Sequence, residues 1–530
     1  MVFCYMEKIK GGKSMKHTKL FASLMAICLI CTLALTACKP ADDTSSTDMS
    51  QAEGTTSSNP YQNADGYYVG STSGKTYEGE TITFLICSVN QTWESEIITN
   101  TYEDGESHVL PQIINDDLKK RNELLEEKLG ITVEEIGVFD PKRTNGEMCT
   151  YIRNGNMTAT EEYQVVVPCL YDGATLALEN QLYNLRGLEG LQIDAPWWNQ
   201  EFNNSMTYGD QLYFTIGDIG LNNKNGTAAL YFNLELWNKL GLSDKFGGTP
   251  YDLVRNGKWT VDVVFEAGRQ VSADVNSDSK IDYKDEFGWG GQLDDMWSIF
   301  FGSGEKIASA DSDGYPALTM YNERSARLME KLQDFVQDDK HYISANDYFG
   351  EAQWPSVLVQ QGFTDGRCLF YNGSVSTVLE LGNMEQHFGI VPIPKADETQ
   401  EKYYSLVNPW TSTCFAVPTS VTGEKLQMTI DALNVLGADS KNTLAKDYQE
   451  IVLTYMKTRD QESIDMINEF IIPSRACDVG MVYKWGGLDT LLHDMASQPI
   501  GTFSSNYQAR ESAALQALSE TVDFFKDNEK

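Results

Sequence analysis

The sequence predicts an α/β fold from two observations: short apolar runs of buried-strand type alternate with helical stripes, and the chain carries enough apolar residues to cover sheets on both faces. Of its 530 residues, 41% are hydrophobic and 11% aromatic, which excludes a disordered or collagen-like chain. At about 150 residues per domain the length suits two large lobes or three smaller domains.

The elements follow in order. Residues 81–87, Thr-Ile-Thr-Phe-Leu-Ile-Cys, read as a buried strand. Asn115 is a plausible N-cap for a helix that carries Leu118, Leu125 and Leu129 in a stripe and ends at Gly130. A strand resumes at residues 131–133, and residues 163–167 form another, followed by a helical stretch around Leu176 and Leu178. Residues 368–371 and 415–417 repeat the strand pattern. Strands alternating with helices imply parallel sheets covered on both faces.

The N-terminus reports location. Lys8, Lys10, Lys13, Lys16 and Lys19 precede an apolar run over residues 20–35, the pattern of a secretory signal, with Met15 as an alternative start. The run is short for a membrane span of about 20 residues. It ends in Leu35-Thr36-Ala37-Cys38, which resembles the lipobox of bacterial lipoproteins; that resemblance implies cleavage after residue 37 and a lipidated Cys38. Residues 39–66 contain no Val, Ile, Leu, Phe or Trp and cannot repay their ordering entropy by burial. With Cys38, a tether is expected over 38–77, the 39–66 stretch spanning about 30 Å as a flexible coil.

Charge and cysteine usage narrow the function. With 41 Lys+Arg against 76 Asp+Glu, the net charge of -35 disfavours nucleic acid and anionic membrane surfaces. Removal of residues 1–37 leaves 36 basic against 75 acidic side chains, a net charge of -39. Cys87, Cys149, Cys169, Cys368, Cys414 and Cys477 show no C-x-x-C spacing, so neither zinc nor a redox pair is indicated, and one or two disulfides stay open. Four of them lie in apolar contexts where free cysteine acts as a small hydrophobe.

The strand-like residues 228–232 and then 233–241, followed by Pro250-Tyr-Asp-Leu-Val-Arg-Asn-Gly-Lys-Trp259-Thr260, resemble a stretch of the family 1 extracellular solute-binding lipoproteins of Gram-positive bacteria. Further stretches agree: residues 115–130 with Arg121-Asn122; Pro392-Ile-Pro394-Lys395 with Tyr403-Tyr404 and Val407-Asn408; and Arg475, Asp478, Gly480 and Trp485-Gly-Gly487. The resemblance covers most of residues 78–530. It implies a two-lobed periplasmic-binding-protein-like fold with hinge strands, residues 78–224 plus 404–450 in one lobe and 225–403 plus 451–530 in the other. The crossings fall near Asn225 and Asn408. It also implies capture of solute in the interlobe cleft by closure, delivery to two ABC permease subunits served by an inner ATPase, and a monomer with no enzymatic activity.

Carbohydrate is the expected solute, because aromatic faces cover the C–H patches of pyranose rings while polar groups meet the hydroxyls. Trp93 follows the first strand, and Tyr171 and Asp172 follow the strand at 165–167, where family members often place an aromatic residue and a carboxylate on the sugar. Trp410 lies at the implied crossing, Tyr371 and Asn372 end another strand, Trp485 precedes two glycines, and Trp289 and Trp297 flank Asp294-Asp295. A tight turn is the competing reading for Tyr371-Asn372. Core positions suit Trp197, Trp198, Trp237 and Trp259.

Asp274, Asn276, Asp278, Lys280, Asp282 and Asp285 follow the EF-hand or dockerin-like calcium spacing, with Lys280 offering its carbonyl. Ser279 stands where glycine eases the turn, and Asp285 is shorter than the usual glutamate. A structural Ca2+ is expected. The alternatives in function are a secreted glycoside hydrolase, which needs paired carboxylates, and a cell-surface polysaccharide binder. The sequence has no G-x-S-x-G, H-E-x-x-H or P-loop motif, and its five histidines are isolated.

Overall fold

A computed structural model describes residues 59–88, 96–99, 112–352, 354–448 and 460–529. The signal segment 1–37, Cys38 and Trp93 lie outside the described residues.

The first sheet is fully parallel, in the order β2-β1-β3, with β1 at Glu80–Ser88, β2 at Ile131–Phe139 and β3 at Val165–Val167. Central β1 is buried from Ile82 onward, save a trace of Thr83 exposure, and Val165, Val166 and Val167 are fully buried. Each such side chain contributes about 1.5–3 kcal/mol of burial. Helix α1, Gln112–Leu129, precedes β2. Asn115 is buried within its first turn rather than capping it, so the cap assignment does not hold. Helix α2, Leu170–Leu178, follows β3.

The second sheet is mixed, not parallel throughout. It has six strands: β4 (Ala228–Asn233), β5 (Ser272–Ala273), β6 (Glu286–Gly291), β7 (Tyr342–Ser344), β8 (Cys368–Ser374) and β9 (Phe388–Val391). β8 and β7 lie parallel to β6, whereas β4 runs antiparallel to both β8 and β9. Along β4, Ala228, Leu230 and Phe232 enter one core and Ala229 and Tyr231 a second. The period of two therefore covers both faces of this sheet. Helix α3, Asp294–Gly302, starts just beyond β6.

The 415–417 segment forms bridges rather than a strand: Ala416 pairs with Val166 and Phe415 with Thr215. It joins the first sheet's surroundings, while Val407 pairs with Thr227 at the start of β4. A short parallel pair, Ser405–Leu406 with Arg475–Ala476, lies beside it. Helix α4, Gly423–Asn442, packs on α1. Helix α5, Leu488–Met495, packs on α3, and α6, Phe503–Asp527, sets Phe524 and Phe525 against Tyr213.

Residues 59–77 differ from the tether expectation, for they lie along α4. The Tyr68 backbone N–H and carbonyl both bond the Asn442 side chain at 2.9 Å, and the Ser71 carbonyl accepts from Asn434 at 2.9 Å. Tyr77 donates to Asp431 at 2.9 Å, and Tyr61 meets the Trp197 ring edge-on at 5.6 Å. Polar side chains on α4 hold this segment, which an apolar-residue count does not register.

Candidate functional site

In a parallel sheet the strand ends at one edge share a direction, and ligands of α/β proteins lie outside the carboxyl ends. At that edge of the first sheet, β2 runs into a turn containing Arg143 and Thr144, and β3 into Tyr171 on the first turn of α2. At that edge of the second sheet, β6 runs into Asp294 on the first turn of α3.

These groups meet. Lys484 Nζ lies 3.8 Å from the centre of the Tyr171 ring, and 3.4 Å from Thr144 Oγ1. Arg143 Cζ lies 5.5 Å from the Trp410 ring, its Nη1 donating to the Trp410 and Thr411 carbonyls at 2.8 and 2.9 Å. Asn408 Nδ2 donates to Asp294 Oδ2 at 3.2 Å, and His493 Nε2 lies 3.3 Å from Asp294 Oδ1. Trp297 stacks on His493 at 3.8 Å and donates to the Asp489 carbonyl at 2.7 Å.

Arg143, Asn145 and Lys484 hold φ of 48°, 51° and 56°. Non-glycine residues in this region cost on the order of 1 kcal/mol or more, and such strain clusters at functional sites. Asp172 is fully buried and accepts the Asn145 N–H at 2.6 Å, so its carboxylate is committed to fixing this turn rather than exposed to a solute. Burial raises its pKa, with the Asn145 bond opposing.

Tyr171 is itself only 4% exposed, with Lys484 over its ring, and the other expected ligand residues among those described, Trp410 apart, sit in the cores. Trp289 is fully buried and donates to Asp295 Oδ2 at 2.7 Å; Tyr342 donates to the same oxygen at 3.0 Å, and Asn372 to Oδ1 at 2.7 Å. Burial pushes the Asp295 carboxyl up to about 7 against the pull of these three donors. Tyr371 packs against Phe363 in the second core. Trp485 is buried, stacks on Tyr483 and donates to Thr521 at 2.9 Å. Each has a partner that sequence spacing does not disclose. Trp197, Trp198, Trp237 and Trp259 are buried as expected. Arg143, Thr144, Lys484 and His493 were missed; the signal for the first two was their place directly after a strand.

The acidic loop brings carboxylate oxygens of Asp274, Asp278 and Asp285 within 4.8 Å of one another. Ser279, at the position where glycine is usual, has φ 69°, so the sharp turn forms without glycine. Asp285 is fully buried and accepts the N–H groups of Val275 and Asp282 at 3.0 Å. Asn276 and Asp282 accept the N–H groups of Asp278 and Lys284 at 2.9 and 2.7 Å, and Lys280 donates its own N–H to Asp278 at 2.9 Å. Hard oxygens are the donor set a calcium ion takes.

No protein-family model matches the chain, and no curated protein sequence matches it. Among solved structures, it resembles the ABC substrate-binding protein Lmo0181 of Listeria monocytogenes in complex with cycloalternan. The TM-score is 0.51 at 11% identity, over 82% of this chain and 98% of that one. It also resembles a cyclo/maltodextrin-binding protein complexed with maltotetraose, with TM-score 0.49 and 13% identity over 86% and 98% of the two chains. The maltose-binding protein MalE of Listeria monocytogenes, in complex with maltose, gives 0.48 and 12% over 84% and 98%. The first of these likenesses shows the mixed α/β, two-lobed, periplasmic-binding-protein-like fold, at low identity to that ABC substrate-binding protein.

Proposed function

We propose that this protein is the lipid-anchored, extracytoplasmic solute-binding component of an ABC importer, that it captures an oligosaccharide or glycoside by cleft closure, and that it passes the solute to two permease subunits without chemical change. The observation that carries this reading is the contact of Lys484 with Tyr171 beyond the carboxyl end of β3, beside the Arg143–Trp410 pair beyond β2 and the Asn408–Asp294 bond beyond β6. A solute touching both sets shifts an open and closed equilibrium by its differential affinity. Aromatic faces beside polar groups suit a sugar. The lipid on Cys38 supplies the membrane attachment; among the described residues no helix is long and apolar enough to cross a membrane.

A thermal-shift screen of the mature protein against mono- and oligosaccharides tests the reading. Saturation at 100 times the dissociation constant adds about 2.7 kcal/mol of stability. Glycans recovered shortened would instead favour a hydrolase, and an unaltered melting temperature with every sugar would remove the carbohydrate assignment.

The loop at residues 274–285 holds a structural Ca2+ through Asp274, Asn276, Asp278, the Lys280 carbonyl, Asp282 and Asp285. Calcium should raise the melting temperature of the wild-type protein and not that of Asp278→Asn. Equal responses to calcium in the two proteins would dismiss the site.

A further inference from the structure

We infer that the Tyr171 face is a cation subsite, filled in this structure by the chain's own Lys484, and that the solute bears a free amino group, as in a glycan of unacetylated amino sugars. This rests on the carbohydrate reading above and sharpens its substrate class.

The two cation-covered rings of the site are held in different ways. Arg143 is buried and locked by two carbonyl bonds of 2.8 and 2.9 Å, independent of the Trp410 ring. Lys484 is held loosely: its ammonium has the ring at 3.8 Å and one 3.4 Å contact to Thr144 Oγ1. Among the described residues it makes no ion pair within 4.0 Å. Its backbone is also in the left-handed region, at φ 56°. A cation that rests on a ring, without a carboxylate to anchor it, is the one that exchange removes most readily.

The surroundings favour another cation as the replacement. Tyr171 and Asp489 are both buried, and burial first, then the Asp489 and Asp294 carboxylates, raises the Tyr171 hydroxyl above its ordinary range; burial also raises Asp489, with Lys484 opposing. The Asp294 side chain is 40% exposed. If a neutral sugar face displaced Lys484, the Tyr171 ring would lose the cation over its face and Asp489 the ammonium beside it. A solute ammonium preserves both and returns Lys484 to water. The net charge of -35 further raises the local concentration of cationic solutes. A uronate would instead meet Asp294 and Asp489 as like charges.

The test is calorimetric binding of chitotriose, tri-N-acetylchitotriose and trigalacturonate to the wild-type protein, Lys484→Met and Lys484→Gly, with folding checked by circular dichroism. The glycine variant eases the left-handed backbone and guards against a misfolded methionine variant. Chitotriose is expected to bind the wild type at least tenfold more tightly than its acetylated form, and about tenfold more tightly again once Lys484 is removed. Equal affinity for both chitotrioses, weaker chitotriose binding in the variants, or a preference for trigalacturonate that disappears with Lys484 overturns the inference and leaves the carbohydrate reading standing. Failure of all three glycans to bind any of the proteins overturns the inference, while binding of other sugars in the wider thermal-shift screen leaves the carbohydrate reading standing.

Discussion

Trp289 and Trp485 lie in the packed interior, Tyr171 and Trp410 beyond the carboxyl ends of β3 and β2, and although Tyr171 is also buried the two regions differ in what covers the rings. Trp289 is surrounded by Phe265, Phe335 and Phe370 at 5.8–6.4 Å, with its indole N–H on Asp295. Trp485 stacks on Tyr483. Tyr171 and Trp410 instead carry the cations of Lys484 and Arg143. A ring embedded among rings leaves a cavity when it is disturbed. The Tyr171 ring can exchange its cover for a ligand, whereas Arg143, fixed by two carbonyls, leaves a ligand only the face of Trp410 that it does not cover. The neighbours Asp294 and Asp295 show the same division, one partly exposed and bonded to Asn408, the other buried under three donors.

The largest expected effect breaks the interior side of this comparison. Asp295→Ala strands the donors of Trp289, Tyr342 and Asn372, and unpaired buried groups cost about 1–3 kcal/mol each. A loss of about 3–5 kcal/mol is expected from urea denaturation; a loss below about 1 kcal/mol would mean that the network is not holding α3 to the sheet.

The same carboxyl gives a pH signature. Its folded value of about 7 stands above the ordinary 3.8 because of burial. Between those values the folded protein keeps a proton that the unfolded chain has released. Its contribution is therefore complete below the unfolded value and lost as pH rises through about 7. At 1.36 kcal/mol per unit the whole window amounts to on the order of 4 kcal/mol. From pH 5 to 8 the wild type should lose stability more steeply than Asp295→Asn, and parallel profiles would refute the assignment.

A smaller effect separates stability from binding at a place remote from both ring sets. A Cβ on Gly70 would stand 2.2 Å from the Asn434 carbonyl oxygen, so Gly70→Val forces residues 59–77 off α4. The expected outcome is about 1–3 kcal/mol of destabilisation, new proteolytic cuts within 59–77, and unchanged sugar affinity.

The legible parts of the fold are those where periodicity and burial coincide. β1, β3 and β4 were readable because nearly every residue in them is buried, and the Leu118, Leu125 and Leu129 stripe marked α1. The antiparallel pairing of β4 was not legible, since a strand buried on both faces reads alike in either direction. The site was half legible: Tyr171 and Trp410 stood out by residue type and position. What lies on a ring face is set by long-range contact, and residues 171 and 484 are too far apart in sequence for any local pattern to join them.

Trp410 offers the test with the smallest structural disturbance. Its backbone N–H donates to Asn408 Oδ1 at 2.9 Å, and its carbonyl accepts from Arg143. Both bonds survive in Trp410→Ala, as does the second anchor of Arg143 on the Thr411 carbonyl. The substitution removes a half-buried ring and one cation–π contact, worth about 0.5–2 kcal/mol, so stability should fall by about 1 kcal/mol. If the ring is a sugar platform, affinity should fall about tenfold, equivalent to about 1.4 kcal/mol. Trp485→Ala should show the reverse order, with stability lost first, because its ring is packed against Tyr483 and its indole N–H bonds Thr521. Equal ratios of affinity loss to stability loss in the two variants would erase the distinction between the interior rings and those at the opening.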